Sequence, residues 1–162
     1  MEIKVKINGQ EKFLLCEPGE SLLDVLRREG YNSVKEGCRQ GNCGACVVLL
    51  NGHPVNSCLV FAARCEGCDI LTVEALGTPH DLHPLQKAFI EAGAVQCGYC
   101  TPGMILSSRA LLEENPDPSI EDIKLALDGN LCRCTGYVKI IEAVRAAAKK
   151  MKKEQKRLPL KK

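Results

Sequence analysis

From its first residues the chain alternates apolar and polar positions. Ile3, Val5 and Ile7 are separated by charged residues, and the run breaks at Asn8-Gly9 before "QEKFLLC". Period-two patterning on both sides of Asn-Gly predicts a β-hairpin. "SLLDVLRREG" then changes to helical spacing, with Ser21 as N-cap, Asp24 three residues on and Gly30 as the stop. A second hairpin is predicted for "CVVLLNGHPVNSC", turning at Asn51-Gly52, and one more strand for "DILTVEAL". Beyond that the period is helical throughout, in "LHPLQKAFIEAGAV", "TPGMILSSRALLEENP", "SIEDIKLALDG" and "YVKIIEAVRAAAKKM". Thr101-Pro102 and Ser119 with Asp122 read as N-cap signatures, and Gly129 as the end of the third of these helices. Short links between four helices predict antiparallel neighbours in a compact bundle. The fold class is therefore α+β: a β-rich domain over residues 1–77, a helical domain over 82–150, and a basic tail over 151–162.

Composition and charge change this picture in two respects. Of 162 residues 45% are hydrophobic and 26% charged, and no apolar run reaches the roughly 18 residues of a membrane span. "MEIKVKINGQ" carries no basic-then-apolar signal, so a cytoplasmic chain is expected. The net charge of +2 is uneven: the last fourteen residues hold eight Lys/Arg and one Glu, which leaves the rest at −5. No aromatic residue interleaves with those lysines, as a single-strand nucleic-acid site would require, and a solvated helix end is expected.

The eleven cysteines decide the chemistry. An odd count without a leader argues against a secreted disulfide scaffold and for metal ligation. "GCRQGNCGAC" spaces Cys38, Cys43 and Cys46 as C-x4-C-x2-C, with Cys58 following after eleven intervening residues. That is the plant-type spacing for a 2Fe–2S cluster. Gly37, Gly41 and Gly44 let such a loop turn through positive φ and bring backbone N–H groups to the sulfurs. Zinc knuckles repeat C-x2-C or add histidines at fixed spacing, and this loop does neither.

Cys132 and Cys134, in "NLCRCTGY", are separated by one residue. On a helix they would point about 200° apart, whereas in an extended link both face one side, with Arg133 turned away. Cys97 and Cys100, in "QCGYCTPG", lie on another interhelix link. Both pairs precede helix N-termini, whose free N–H groups and dipoles favour an anionic cluster. Side by side, the two links supply four thiolates for a second cluster.

"CRQGNCGAC", "HPVNSC", "LHPLQKAF", "AVQCGYCTPGMI" and "GNLCRCTGY" resemble the two-cluster iron–sulfur subunit of the molybdenum hydroxylase (xanthine oxidase) family, over about residues 2 to 149. The resemblance implies a plant-ferredoxin-like β-grasp domain followed by a four-helix bundle. It also implies a large molybdopterin subunit and an FAD subunit, joined with this chain in a heterotrimer that is dimerised in some assemblies. By the same resemblance the Cys97, Cys100, Cys132 and Cys134 cluster lies beside the molybdopterin, which Gln96 and Cys134 touch. The Cys38, Cys43, Cys46 and Cys58 cluster lies towards the flavin. Electrons then run from molybdenum to FAD, and this chain is a non-catalytic electron-transfer subunit.

Cys16, Cys65 and Cys68 are left over, the last two as a C-x2-C in "RCEGCD". They are expected to be unligated or occasionally disulfide-bonded: the Glu66-Gly67 turn would allow a bridge, which a reducing cytoplasm disfavours. With two complete cysteine sets, His53, His80 and His83 are surplus, which excludes a Rieske arrangement and leaves them turn or helix-start roles. Arg39 and Arg133, inside the two cysteine loops, are candidates for tuning a cluster or meeting a partner, or else plain solvated loop residues. The alternative function is a free-standing ferredoxin-like carrier, but a carrier needs only the first cluster and an acidic docking face.

Overall fold

A computed structural model gives the structure of residues 1–157. β1 (Glu2–Ile7) and β2 (Gln10–Leu15) form the first hairpin, paired from Glu2 opposite Leu15 to Ile7 opposite Gln10. Asn8 and Gly9 both take positive φ, 53° and 82°, as a two-residue type I′ turn requires. β3 (Val47–Leu50) and β4 (His53–Asn56) repeat this geometry around Asn51 and Gly52. β5 (Asp69–Leu71) lies between the hairpins, parallel to β1 and antiparallel to β3, which gives the order β2-β1-β5-β3-β4.

The strand predicted for residues 69–76 is shorter than its pattern. Asn8 Oδ1 accepts the Thr72 N–H at 2.9 Å, and Asn8 Nδ2 donates to Thr72 Oγ1 at 2.9 Å. The first hairpin turn thus takes the amide at the strand's end, and Val73–Ala75 coil into a 3-10 turn.

α1 (Leu22–Arg28) begins as predicted, with Ser21 Oγ accepting the Asp24 N–H at 3.2 Å and Gly30 beyond its end at φ 90°. It buries Leu22, Leu23, Val25 and Leu26 against Ile3, Val5, Ile7, Leu14, Val48 and Ile70. Each such side chain contributes about 1.5–3 kcal/mol by leaving water.

Four helices follow: α2 (Pro84–Glu91), α3 (Thr101–Glu114), α4 (Ile120–Leu127) and α5 (Val138–Arg157). α5 packs on α2 and α4, while α3 packs on α2, α4 and β3. Ile140, Ala143, Val144, Ala147 and Ala148 bury one face of α5 at helical spacing. His83 starts α2: its Nδ1 accepts the Leu85 N–H at 3.2 Å, and Gln86 Oε1 accepts the His83 N–H at 2.9 Å. The Ser119–Asp122 capping box is present on α4. Thr101, however, is the first residue of α3 rather than its cap. Cys100 occupies the cap position at φ −79° and ψ −16°, too helical for side-chain capping. Nor is Gly129 left-handed, because α4 closes through the Asn130 N–H to Leu127 carbonyl bond of 2.9 Å. Among the described residues no helix is long and apolar enough to cross a membrane. The end of the predicted basic tail, residues 158–162, lies outside the described residues.

β3 belongs to two cores. Val48 packs among the α1 residues, while Val47 and Leu49 pack among Met104, Leu106 and the other helical side chains. This explains why "VVLL" lacks the alternation of β1, since a strand buried on both faces is apolar throughout.

Candidate metal centres

The 37–46 loop carries three cysteines between α1 and β3, and Cys58 follows β4 in a 3-10 turn. Gly41 and Gly44 take positive φ as expected, but Gly37 does not; the loop's other left-handed residue is Arg39, at φ 57°. Gly37 is required by space instead, since a Cβ there would sit 2.7 Å from Cys43 Sγ. Backbone donors point at sulfur. The Gln40 and Asn42 N–H groups reach Cys38 Sγ at 3.4 and 3.3 Å, and the Cys38 N–H reaches Cys43 Sγ at 3.4 Å. The Gln40 amide first, then the Cys43 thiol, lower the Cys38 thiol to about 7. Cys58 is pushed up to about 11, by burial first and then by its hydrogen bond with Cys46.

Arg39 faces away from the sulfurs. Its guanidinium bonds Asp24 Oδ1 at 2.7 Å and Glu36 Oε1 at 2.6 Å, and Asp24 also accepts from the Ser21 hydroxyl at 2.6 Å. The loop is thereby fastened to the first turn of α1, and sequence reasoning had left Arg39 without this role.

The second set comes from two links. Cys97 and Cys100 precede α3, and Cys132 and Cys134 lie between α4 and α5. Burial, then the hydrogen bond with Cys132, push Cys100 up to about 12. Burial opposes the Cys132 thiolate as well, but the Thr135 hydroxyl and the Thr135 and Cys134 amides outweigh it and hold this thiol below its usual range. Cys134 is raised, first by its hydrogen bond with Cys97. The eight cysteines therefore meet as four pairs: Cys38 with Cys43, Cys46 with Cys58, Cys97 with Cys134, and Cys100 with Cys132. Among the described residues no three His, Cys, Asp or Glu side chains gather as ligands of one ion. Paired thiols fit the chemistry of a two-iron cluster, in which four thiolates are shared between two metals.

The two sets face each other. A cavity of about 230 Å³ between the β-rich and helical parts is lined by Cys38 and Cys43 on one side and by all four cysteines of the second set on the other. Arg133 lines it too, so it is not turned away as an extended link predicted; residues 133–135 form a bend.

A polar seam holds this arrangement, and nothing in the cysteine spacing announces it. The Leu131 N–H donates to the Cys43 carbonyl at 2.9 Å. Asn130, 3% exposed, donates from Nδ2 to the Gly44 carbonyl at 3.1 Å and accepts from Ser107 Oγ at 2.8 Å. The Tyr137 hydroxyl donates to the Asn130 carbonyl at 3.1 Å and accepts the Cys132 N–H at 2.9 Å. The Tyr99 hydroxyl donates to the Glu36 carbonyl. A Cβ at Gly103 would lie 2.3 Å from the Gly44 carbonyl, so only glycine permits this approach of α3 to the first loop. Gln96 is exposed beside Cys97.

The chain matches the 2Fe-2S iron-sulfur cluster binding domain over residues 5–70 and the 2Fe-2S binding domain over residues 72–145. It is 51% identical over 149 residues to the nicotinate dehydrogenase small FeS subunit of Eubacterium barkeri, covering 91% of this chain and 95% of that one. It is 45% identical to the aldehyde oxidoreductase of Megalodesulfovibrio gigas, over 89% of this chain but 16% of that one. Among solved structures, quinoline 2-oxidoreductase from Pseudomonas putida 86 superposes with a TM-score of 0.90 at 44% identity, covering 94% of this chain and 96% of its own. The aldehyde oxidoreductase of Desulfovibrio desulfuricans ATCC 27774 superposes with a TM-score of 0.92 at 44% identity, over 94% of this chain and 17% of that one. The chain thus spans the nicotinate dehydrogenase small subunit almost whole, but only a fraction of the aldehyde oxidoreductases.

Proposed function

Because the chain belongs to the iron–sulfur small subunits of the molybdenum hydroxylase family, and so is a non-catalytic electron-transfer subunit of an oxidoreductase, we propose how its residues serve that role. Cys38, Cys43, Cys46 and Cys58 hold one 2Fe–2S cluster, and Cys97, Cys100, Cys132 and Cys134 hold the other. Each cluster, when bound, takes up and releases one electron at a time. The observation that carries the assignment is the meeting of the eight thiols as four pairs, six of them around one cavity.

The finer architecture follows from the same reading: a β-grasp ferredoxin-like domain over residues 1–77 and a four-helix domain over 82–150. The chain relays electrons from a molybdopterin site on a large subunit to FAD on another, in a cytoplasmic heterotrimer. Gln96 and Cys134 face the pterin. Support for docking on that side comes from Val95, Tyr99, Leu131 and Val138, which are exposed around the second set. The backbone N–H groups at Cys38 and Cys43 hold those thiolates in place and offset their charge. Thr135 does the same for Cys132, whose backbone N–H the Tyr137 hydroxyl accepts.

The test is EPR of the reduced assembly purified from its native host. Two distinct 2Fe–2S signals are expected, with Cys134→Ser altering one and Cys43→Ser the other. Persistence of both signals unaltered in either variant would sink the ligand assignment. Isolation of the chain as a monomer free of molybdenum and flavin would sink the partner assignment.

A further inference from the structure

Three cysteines stand outside the four pairs. Cys16 and Cys65 are buried in the α1 core, and Cys68 is half-buried at its edge. Cys65 ends the 3-10 turn Ala62–Cys65, and the chain then reverses. Glu66 at φ −51° and ψ 125°, with Gly67 at φ 73°, builds a type II turn, closed by the Cys68 N–H to Cys65 carbonyl bond of 3.0 Å. Such a turn holds its first and last Cα atoms within about 7 Å, and a disulfide spans about 4.4–6.8 Å.

The turn is anchored on both sides. Glu66 Oε2 accepts the Lys4 N–H at 2.8 Å, the Gly67 N–H donates to the Lys4 carbonyl at 2.8 Å, and the Lys6 N–H donates to the Cys68 carbonyl at 2.9 Å. Asn51 Nδ2 donates to Cys68 Sγ at 3.6 Å, from the second hairpin turn. Cys65 Sγ contacts the Phe61 carbonyl at 3.8 Å, inside the core. The turn therefore brings the two cysteines close to the reach of a bridge, one thiol sheltered and the other reachable.

We propose that Cys65 and Cys68 are a redox-active dithiol, a modification site separate from both cluster sites and oxidised by small-molecule disulfides. The Cys68 thiolate attacks one sulfur of the incoming disulfide. That S–S bond breaks, a mixed disulfide forms on Cys68, and the first small thiol leaves. Cys65, deprotonated in turn, attacks the Cys68 sulfur, closing the Cys65–Cys68 bond and expelling the second small thiol. The pair loses two electrons and two protons, and the small disulfide is reduced to two thiols. Burial, and then the neighbouring Cys68 and Cys16 thiols, push Cys65 up to about 11, which suits it to the second step rather than the first. A metal is the weaker occupant, since no three ligands gather there among the described residues.

The full chain with its clusters in place is incubated with oxidised glutathione, alkylated and digested with trypsin. Cleavage after Arg64 leaves both cysteines on one peptide. The expected result is that this peptide loses two hydrogens, its alkylation falls about tenfold or more, dithiothreitol reverses both changes, and the cluster absorbance is unaltered. Cys65→Ser is expected to trap glutathione on Cys68. A stable glutathione adduct in the unsubstituted chain would overturn the proposal. So would two cysteines that stay alkylatable, a Cys16–Cys65 linkage, or bleaching of the clusters before the peptide changes.

Discussion

Replacing Asn130 by alanine removes the buried centre of the seam between the two thiol sets. The side chain donates to the Gly44 carbonyl at 3.1 Å and accepts from Ser107 Oγ at 2.8 Å. Alanine leaves a buried carbonyl and a buried hydroxyl without partners. An orphaned polar group costs about 1–3 kcal/mol, so the pair costs about 2–6 kcal/mol. The lower end of that range applies, because a cavity of about 150 Å³ lined by Ser107, Gly129 and Asn130 borders the site. It has room for water to reach both groups. A loss of about 2–3 kcal/mol lowers the thermal midpoint of a chain this size by about 4–12 °C. The assay is circular dichroism on the assembled protein at matched cluster loading, with EPR of the reduced state reporting magnetic coupling between the clusters. Ser107→Ala and the double variant complete a cycle, and the double loss is expected to fall short of the sum by about 0.5 kcal/mol or more. A midpoint shift under about 2 °C, with unchanged coupling between the clusters, would refute the claim that this amide holds the two loops together.

Two further outcomes follow from the same geometry. Tyr137→Phe removes the hydroxyl that joins the Asn130 carbonyl to the Cys132 N–H; about 1–3 kcal/mol is lost, and hydrogen exchange at Cys132 rises while that in the 37–46 loop does not. Asp24 is held below the usual carboxylate range by Arg39 first and then by Ser21. A carboxyl whose folded value is depressed stabilises the fold above its unfolded value, and that contribution disappears as pH falls through the folded value. The melting difference between the unsubstituted protein and Asp24→Asn is therefore expected to be full near neutrality, to begin falling near about pH 4, and to vanish only below the depressed folded value. Its size stays within about 1 kcal/mol, because the Arg39–Asp24 pair is largely exposed. Parallel melting curves across that range would contradict it.

The elements that were legible from residue order are those whose signal is local. Asn8-Gly9 and Asn51-Gly52 announced both hairpins because only residues tolerant of left-handed φ fit a type I′ turn. Ser21 and Ser119 announced α1 and α4 because each cap bonds an amide three residues away. The spacing of the eight cysteines that meet as four pairs was legible for the same reason. What escaped depended on distant partners. The Asn8 side chain ends β5 from 64 residues away, and the helical conformation at Cys100 displaces Thr101 from its expected cap. Asn130 meets Gly44 across 86 residues. In "GNLCRC" an asparagine after glycine reads as an ordinary turn, and no local pattern separates a turn residue from an interdomain clamp.

β3 shows why the two halves of this chain work as one body. Its side chains divide between the α1 core and the helical core, with Val48 on one face and Val47 and Leu49 on the other. Separating the halves would expose one of those faces, at about 25 cal/mol for each Å² of apolar surface returned to water. Cys46 immediately precedes this strand, and Cys58 follows the strand hydrogen-bonded to it. The helices that bury Val47 and Leu49 thus fix the same strand that sets one thiol pair of the first site. They also carry the links that hold all four thiols of the second. A shift of α3 against β3 would alter both sites together, and the glycine contact between Gly103 and Gly44 leaves almost no room for that shift. For a chain whose work is to pass electrons between two sites, a fixed separation matters more than either site's own stability. The packing is arranged accordingly: a Cβ at Gly103 would lie 2.3 Å from the Gly44 carbonyl, and one at Gly44 would lie 2.4 Å from the Gly129 carbonyl.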